Sequence, residues 1–281
     1  MRRTAMPLLL ATATLGLWSA PARAGDPFEI QVYDGTADAP GVPGLELHLN
    51  DWATGSRQST PPEAPLHGQF HATLEPSLGI TPFWELGLYL EGAVRTDIGA
   101  VDFAGAKLRS KFVTPETFDL HWRLGVNLEL SSLSTTYDRS GWGSEIRPIV
   151  AWHDDDWLFA LNPIIEQALA APEASSGPVL SPALKVARTV GPVALGFEYY
   201  ATLGPLAGPL PWAQQWQQVF EVVDLVSVQH FELELGVGEG LTQATDGLVV
   251  KAIIGYEFDR DATPPALTGE QNPPGASPTR R

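Results

Sequence analysis

The chain has 281 residues, no cysteine and a formal net charge of −16 at pH 7. The lack of cysteine excludes a disulfide framework, a thiolate metal site and a cysteine nucleophile. The negative charge argues against nucleic-acid binding, which needs a basic surface.

Residues 1–24 have the features of a secretory signal peptide. Arg2 and Arg3 form a charged head, residues 6–18 are apolar, and residues 22–24 form an A-x-A cleavage site. Removing three arginines and no acids takes the net charge from −16 to −19. After residue 24 no run approaches the roughly 20 apolar residues of a membrane helix. An exported chain of alternating segments is either a soluble β-sandwich or an outer-membrane barrel.

Residues 25–42 precede the first predicted strand. Within them, residues 27–34 alternate in polarity, but a thirteenth strand would place the termini on opposite sides of a membrane. We therefore expect this segment to lie in the lumen of a barrel or to pair at its periplasmic rim.

Residues 43–258 contain twelve segments in which apolar and polar residues alternate with the period of a β-strand. The segments are 43–51, 67–79, 82–94, 102–113, 118–132, 144–153, 156–168, 181–190, 192–203, 217–225, 228–238 and 246–258. Their connectors alternate between short and long, as in bacterial outer-membrane barrels, whose short turns face the periplasm. The pattern predicts a twelve-stranded antiparallel up-and-down transmembrane β-barrel, whereas a sandwich gives no reason for this alternation.

The last segment, 246–258, illustrates the two predicted faces. Leu248, Val250 and Ile254 share the apolar face, which we expect to meet lipid, and Lys251 and Glu257 share the opposite face. Aromatic residues at the strand ends predict two girdles at the membrane interfaces. The short-turn girdle would contain Phe83, Trp84, Phe112, Phe118, Trp152, Trp157, Tyr256 and Phe258. The long-loop girdle would contain Trp52, Tyr137, Trp142, Trp212 and Trp216.

The polar faces predict a charged lumen. Its expected lining residues are Glu75, Glu85, Glu91, Lys107, Arg109, Lys111, His121, Arg123, Glu129, Glu145, Arg147, Glu166, Lys185, Glu198, His230, Glu232, Glu234, Lys251 and Glu257. These charges either fill the lumen as an ion-pair network or form a partly open pore with opposed basic and acidic strips that gives selectivity. The basic strip would be Lys107, Arg109, Lys111, Arg123 and Arg147. The acidic strip would be Glu75, Glu85, Glu91, Glu232 and Glu234.

Signals for catalysis are weak. A lipase barrel needs a Ser–His pair near its lipid-facing rim, but the histidines within the predicted strands share the polar faces, and no Gly-x-Ser-x-Gly motif occurs. The spacing of the six histidines makes no metal site, and the acidic run 154–156 is typical of a solvated turn. We expect no enzyme activity, no cofactor and no bound metal.

Residues 259–281 are rich in Pro and Gly without periodicity, which predicts a disordered tail. Barrels of this type usually end on the aromatic residue of the last strand, which resembles a recognition signal for the barrel-assembly machinery. Here 23 residues follow Phe258, so either the signal is read internally or another factor assists.

Seven short strings resemble a group of uncharacterised proteobacterial outer-membrane β-barrel proteins. They are Pro-Phe-Glu-Ile-Gln-Val-Tyr-Asp (27–34), Glu-Leu-His-Leu-Asn (46–50), Arg-Ser-Lys-Phe-Val-Thr-Pro (109–115), Glu-Ile-Arg-Pro-Ile (145–149), Asn-Pro-Ile (162–164), Phe-Glu-Tyr-Tyr (197–200) and Val-Val-Asp-Leu (222–225). The resemblance implies location and architecture, but no substrate and no catalytic residue.

Together these features predict a monomeric narrow channel or transporter for a small solute. Its expected partners are outer-membrane lipid, the barrel-assembly machinery and that solute. The alternatives are a closed structural barrel, a lipid-modifying outer-membrane barrel enzyme and a soluble periplasmic β-sandwich that binds a ligand.

Overall fold

A computed structural model describes residues 25–118 and 120–258, so the predicted signal peptide and the predicted tail lie outside the described residues. The strands are β1 Pro43–Asp51, β2 Gln69–Thr81, β3 Trp84–Arg95, β4 Ala100–Val113, β5 Trp122–Leu133, β6 Trp142–His153, β7 Trp157–Ala168, β8 Val179–Val190, β9 Val193–Thr202, β10 Gly204–Pro205, β11 Trp216–Leu225, β12 Phe231–Gly240 and β13 Leu248–Glu257. The two-residue β10 continues β9 along β8 past Leu203. Twelve long strands therefore remain. Three short 3₁₀ turns, Glu116–Phe118, Glu173–Ser176 and Trp212–Gln214, lie in the connectors.

The sheet closes into a barrel. Each long strand pairs antiparallel with its neighbours in the chain, and β1 pairs with β13 through contacts such as Leu47 opposite Ile254. The tight turn between β8 and β9 uses Gly191, whose φ of 64° lies in the left-handed region open to glycine. In the described ranges, no helix is long and apolar enough to cross a membrane. The predicted twelve-stranded up-and-down barrel is confirmed.

Two strands begin three or more residues later than the alternation predicts. The segment predicted from residue 118 starts at Trp122, because the chain first makes the turn Glu116–Phe118, closed by the N–H of Phe118 donating to the carbonyl of Pro115. The segment predicted from residue 228 starts at Phe231, because His230 has a φ of 61°, which no strand residue adopts. Alternation alone does not reveal these local turns.

The two faces of the strands match the predicted ones. Leu248 and Ile254 are 40% and 37% exposed on the outside of β13, whereas Val249 and Lys251 between them are buried. Leu124 is 54% exposed on β5, so it does not pack in a two-layer core. A closed ring of strands with an apolar outer face leaves no unpaired backbone edge in hydrocarbon, which is what a bilayer requires. The soluble sandwich is thereby excluded. Glu221, exposed beside Val223 on β11, is a charged exception on the outer face.

The aromatic girdles are only partly as predicted. Trp142 and Trp212 are exposed, but Trp52 is fully buried and Trp216 is 3% exposed. The prediction was wrong for these two tryptophans because both face the barrel interior. Trp216 begins β11, and Trp52 directly follows β1, on the same side as the buried Asn50 two residues earlier. They pack in a hydrophobic cluster inside the barrel.

An arginine substitution midway along the outer face tests which part of the barrel lies at the centre of the bilayer. Leu128 lies halfway along β5 with its side chain outward, and Val101 lies outward at the long-loop end of β4. Leu128→Arg should lower the free energy of unfolding by about 2–4 kcal/mol, against about 0–1 kcal/mol for Val101→Arg, because the cost depends on depth in the bilayer. Urea unfolding in lipid vesicles measures both. Equal losses would contradict the assigned bilayer position.

Candidate functional site: the charged lumen and its inserted segment

Residues 25–42, called here the inserted segment, run through the barrel interior without forming a strand. Its apolar residues Phe28, Ile30 and Val32 are buried. Phe28 stacks on the ring of His71 with 4.3 Å between the centroids. Ile30 and Val32 join the cluster that contains Trp52 and Trp216.

Polar side chains of the strands bind the backbone of the inserted segment. Asn50 Nδ2 donates to the carbonyls of Pro27 and Phe28 at 3.1 Å each. Lys251 Nζ donates to the carbonyl of Ile30 at 2.9 Å, and Arg147 donates to that of Gln31 at 3.3 Å. An extended chain outside a sheet leaves its backbone groups unpaired, so these side chains replace the missing ladder hydrogen bonds.

Asn162 makes the most complete of these contacts. Its side-chain oxygen accepts from the N–H of Tyr33 at 2.7 Å, and its side-chain nitrogen donates to the carbonyl of Tyr33 at 2.9 Å. The amide thus pairs with one residue of the segment as a neighbouring strand would. Asn162 is fully buried on β7, so neither hydrogen bond competes with bulk water.

The ring of Tyr33 lies among three cations. Its centroid is 4.5 Å from the guanidinium of Arg147, 5.8 Å from that of Arg109 and 5.4 Å from Nζ of Lys111. The face of an aromatic ring attracts cations electrostatically at such distances. The Tyr33 hydroxyl lies 2.5 Å from the hydroxyl of Tyr89.

Glu29 shares Arg147 with the Tyr33 ring and also lies beside Lys107. Its carboxyl is 2.9 Å from Arg147 and 3.6 Å from Lys107 Nζ, and it accepts a hydrogen bond from the Tyr33 hydroxyl at 3.1 Å. Lys107 also contacts Asp26, Glu91 and Glu129, so one ammonium group faces four carboxyl groups. This part of the lumen is short of positive charge.

Asp38, near the end of the inserted segment, holds its proton more tightly than usual. Burial and the neighbouring Glu85 raise the pKa of Asp38 to about 6, against the hydrogen bond from Ser77. A carboxyl group whose pKa is higher when docked than in water favours docking at low pH. The inserted segment is therefore held less tightly as pH rises from 3.8 to about 6.

The segment is also fastened where it enters β1. Ser77 Oγ donates to Asp38 at 2.5 Å, and the N–H of Asp38 donates to Glu85 at 2.6 Å. Backbone hydrogen bonds join Gly41 and Val42 to Gly79. These contacts anchor residues 38–42 to β2 and β3 at the short-turn end of the barrel.

A second charge cluster lies on β8, β9, β11, β12 and β13. Lys185 Nζ is 3.3 Å from Glu198 and 2.5 Å from Glu234, and Lys251 Nζ lies 2.5 Å from Glu234 and in contact with Glu198. Asp224 accepts from Lys185 at 2.8 Å. Two ammonium groups thus share three carboxylates, all in the barrel interior.

A third cluster includes a histidine that sequence reasoning did not associate with metal ligands. His48 Nε2 lies 3.3 Å from Glu46 and 3.2 Å from Glu75, and the three ligand atoms are close enough to hold a metal ion together. Arg109 already binds Glu75 at 2.6 Å, which lessens the need for another cation. The register of β1 on β2 places Glu46 opposite Glu75. The grouping of these side chains therefore follows from strand pairing and could not be found from their spacing along the chain.

Most residues predicted to line the lumen point into the barrel. The buried ones are Glu75, Glu85, Glu91, Lys107, Arg109, Glu129, Arg147, Lys185, Glu198, Glu234 and Lys251. The partly exposed ones are Lys111, Arg123, Glu145, Glu166 and Glu257. Glu232 is exposed on the inward side of β12.

The two predicted histidines lie elsewhere. His121 is exposed ahead of β5 and pairs with the backbone carbonyl of His153. His230 precedes β12 and lies 4.0 Å from Glu257. Both sit at the short-turn ends, because the strands start later than the alternation indicates, and neither extends along the lumen.

The basic and acidic strips are in contact with each other. Arg109 lies 2.6 Å from Glu85, and Lys111 lies 3.0 Å from the same carboxylate. Glu85 is opposite Lys111 in the β3–β4 register, so the opposed charges sit on adjacent strands, not across a water-filled lumen. A cavity of about 40 Å³ lined by Glu29, Glu166 and Tyr200 remains beside the segment, which is room for water only.

Solved structures of similar fold are outer-membrane barrels. An outer-membrane channel from Pseudomonas putida F1 has a TM-score of 0.52 and 12% identity, covering 82% of this chain and 100% of that chain. The NanC porin has a TM-score of 0.50 and 11% identity, covering 76% and 99%. This chain has the fold of an outer-membrane β-barrel. No protein-family model and no curated protein sequence matches it, so membership of the proteobacterial group that it resembles stays a prediction.

A phospholipase barrel is also among the similar structures. Outer-membrane phospholipase A from Escherichia coli has a TM-score of 0.40 and 10% identity, covering 80% of this chain and 99% of that chain. A similarity at this level carries no functional argument. In the present protein, His71 hydrogen-bonds to Gln69 and to the carbonyl of Pro27, and His48 contacts carboxylates. None of these contacts activates a serine, and the absence of enzyme activity stays a prediction.

Proposed function

We propose that the protein is a narrow gated channel for a small solute, closed by the inserted segment. The observation that carries the proposal is the way in which that segment is held. Its backbone is bound by side chains of the lumen, such as Asn50 and Asn162, and it belongs to no strand of the ring. An inserted segment held in this way can withdraw from the lumen while every strand-to-strand hydrogen bond remains.

The lumen around the inserted segment is chemically suited to a permeating solute. It carries buried charges of both signs, and a barrel of twelve strands is wider than the eight-stranded case that side chains alone fill. The Pseudomonas putida structure is described as an outer-membrane channel and NanC as a porin, which supports the same function here. Lipid at the apolar outer face and the barrel-assembly machinery are the other partners that we propose.

A closed structural barrel is the second candidate. The ion-pair clusters around Lys107 and Lys251 favour it, because a lumen packed with paired charges can be purely structural. The two functions predict different results when the contacts that hold the inserted segment are weakened. A channel opens, whereas a structural barrel stays silent or unfolds.

Asn162→Ala tests the proposal. It removes both hydrogen bonds to Tyr33 and leaves buried backbone groups unpaired, at a cost of about 1–3 kcal/mol. We expect the open probability in planar bilayers to rise roughly 5- to 150-fold, since each 1.4 kcal/mol is tenfold in an equilibrium constant. Asn127→Ala is the matched control, because Asn127 is equally buried but its side chain donates to Glu129.

Two outcomes would refute the gated channel. One is a folded Asn162→Ala protein that stays silent at all voltages, with folding checked by heat-modifiable gel migration. The other is an equal increase in opening for Asn127→Ala, which would mean that any lumen substitution causes leakage.

A further inference from the structure

Tyr33 and Glu29 together present the chemistry of one small molecule to the barrel wall. The Tyr33 ring faces Arg147, Arg109 and Lys111, and the carboxyl of Glu29 is 2.9 Å from Arg147. The phenol and the carboxyl lie 3.1 Å apart. An aromatic ring, a hydroxyl and an acid group thus meet a single group of cations.

The wall that receives them belongs to β4 and β6. Lys107, Arg109 and Lys111 alternate along β4, and Arg147 lies on β6. The inserted segment contributes acids and aromatic rings but no lysine or arginine. Its withdrawal would therefore remove negative and aromatic groups from this wall, and no positive one. The cations would then lose part of their neutralising partners.

We propose that the space occupied by Tyr33 and Glu29 is a binding site for a small aromatic carboxylate when the segment withdraws. This inference rests on the proposed gating. The cations of this wall bind the ring by its face and the carboxylate by their N–H groups, the two kinds of contact that Arg147 makes with Tyr33 and with Glu29. The buried Tyr89 hydroxyl then needs a new partner in place of Tyr33, and an oxygen of the ligand carboxylate accepts its hydrogen bond.

Two classes of competitor should bind poorly. A neutral ring such as benzamide leaves the buried cations without an anion, and a carboxylate without a ring such as acetate leaves the cation-lined space empty. Unpaired buried groups are costly, so both features are required. Segment and ligand exclude each other because they use the same side chains.

Calorimetric titration of benzoate, benzamide and acetate into the mature protein in detergent tests the site. In the wild type the inserted segment competes with benzoate for the site. The apparent affinity for benzoate is therefore reduced in proportion to the small fraction of open protein. Tyr33→Ala should tighten benzoate binding by about tenfold or more if the wild type is open at most one-tenth of the time. Benzamide and acetate should bind at least about tenfold more weakly than benzoate, since a charge-assisted contact or the ring contact is missing.

Two further substitutions in the Tyr33→Ala background complete the test. Arg147→Gln should abolish the gain for benzoate. Lys185→Gln, which removes a lumen cation that contacts Glu198, Asp224 and Glu234, should leave it intact. If Arg147→Gln fails to show heat-modifiable migration, Arg147→Lys replaces it, and loss of the planar fork should still weaken benzoate.

The proposal is overturned if benzoate binds the wild type and Tyr33→Ala equally, if benzamide matches benzoate, or if Lys185→Gln weakens benzoate as much as Arg147→Gln does. Planar-bilayer recordings on the same variants separate this result from the gating. Benzoate binding without current would refute the channel and keep the site. Current without benzoate binding would refute the site and keep the channel.

Discussion

Deletion of residues 26–36 is expected to convert a closed barrel into a pore that conducts continuously. The deletion removes Phe28, Ile30, Tyr33 and the acids Asp26 and Glu29 from the interior, together with every backbone group that Asn50, Lys251 and Arg147 bind. The ring itself is closed by β1 on β13 and does not use these residues. The barrel should therefore persist around an emptied lumen.

Single-channel recording in planar bilayers measures the effect of the deletion. The wild type should be closed for most of the recording. The deletion should remain open, at a conductance at least as large as the rare wild-type openings. An equal-length deletion within residues 259–281 is the control and should behave as the wild type. A folded deletion variant that passes no current would leave the closed structural barrel as the better function.

Lys251→Met should be the most destabilising substitution in the lumen. Lys251 is 1% exposed, lies between Glu198 and Glu234, and also holds the carbonyl of Ile30. Removing one partner of a buried ion pair leaves uncompensated charge, which costs about 3–5 kcal/mol. We expect a loss of that size in urea unfolding in lipid vesicles. The solvent-screened pair of Arg95 and Asp102 gives the comparison, since Arg95→Met should cost only about 0–1 kcal/mol.

A second substitution shows whether charge causes the loss. Glu198→Gln in the Lys251→Met background removes one of the stranded carboxylates and should restore part of the stability. If packing of the lysine stem were the cause, this double variant would be no more stable than Lys251→Met alone. A cost for Lys251→Met no larger than that for Arg95→Met would show that the cluster is well hydrated, contrary to its burial.

Individual strands show how far local pattern predicts structure. On β13 the alternation of Leu248, Val249, Val250 and Lys251 was sufficient to assign both faces, because side chains of a strand point alternately to its two sides whatever lies around it. The same rule would have placed Trp52 inside the barrel, in step with Asn50. The prediction that Trp52 belongs to an aromatic girdle is wrong, because its side chain is fully buried.

The site was predictable only as a set of inward charges. The alternation of polar and apolar residues identified Lys107 and Arg147 as inward-facing. It did not pair Lys107 with Asp26, 81 positions away. Nor did it bring Tyr33 to Asn162, 129 positions away. Such partners depend on strand register, on barrel closure and on the path of a segment that has no periodic contact with any strand.

The sequence by itself determined the number of strands, their antiparallel order and the apolar outer face, because each follows from period-two alternation and from connector length, which are local properties. Only the tertiary structure decided which charges neutralise each other and what fills the lumen. Those contacts join residues far apart in the chain, and their free energies depend on burial and on distances that exist only once the ring has closed.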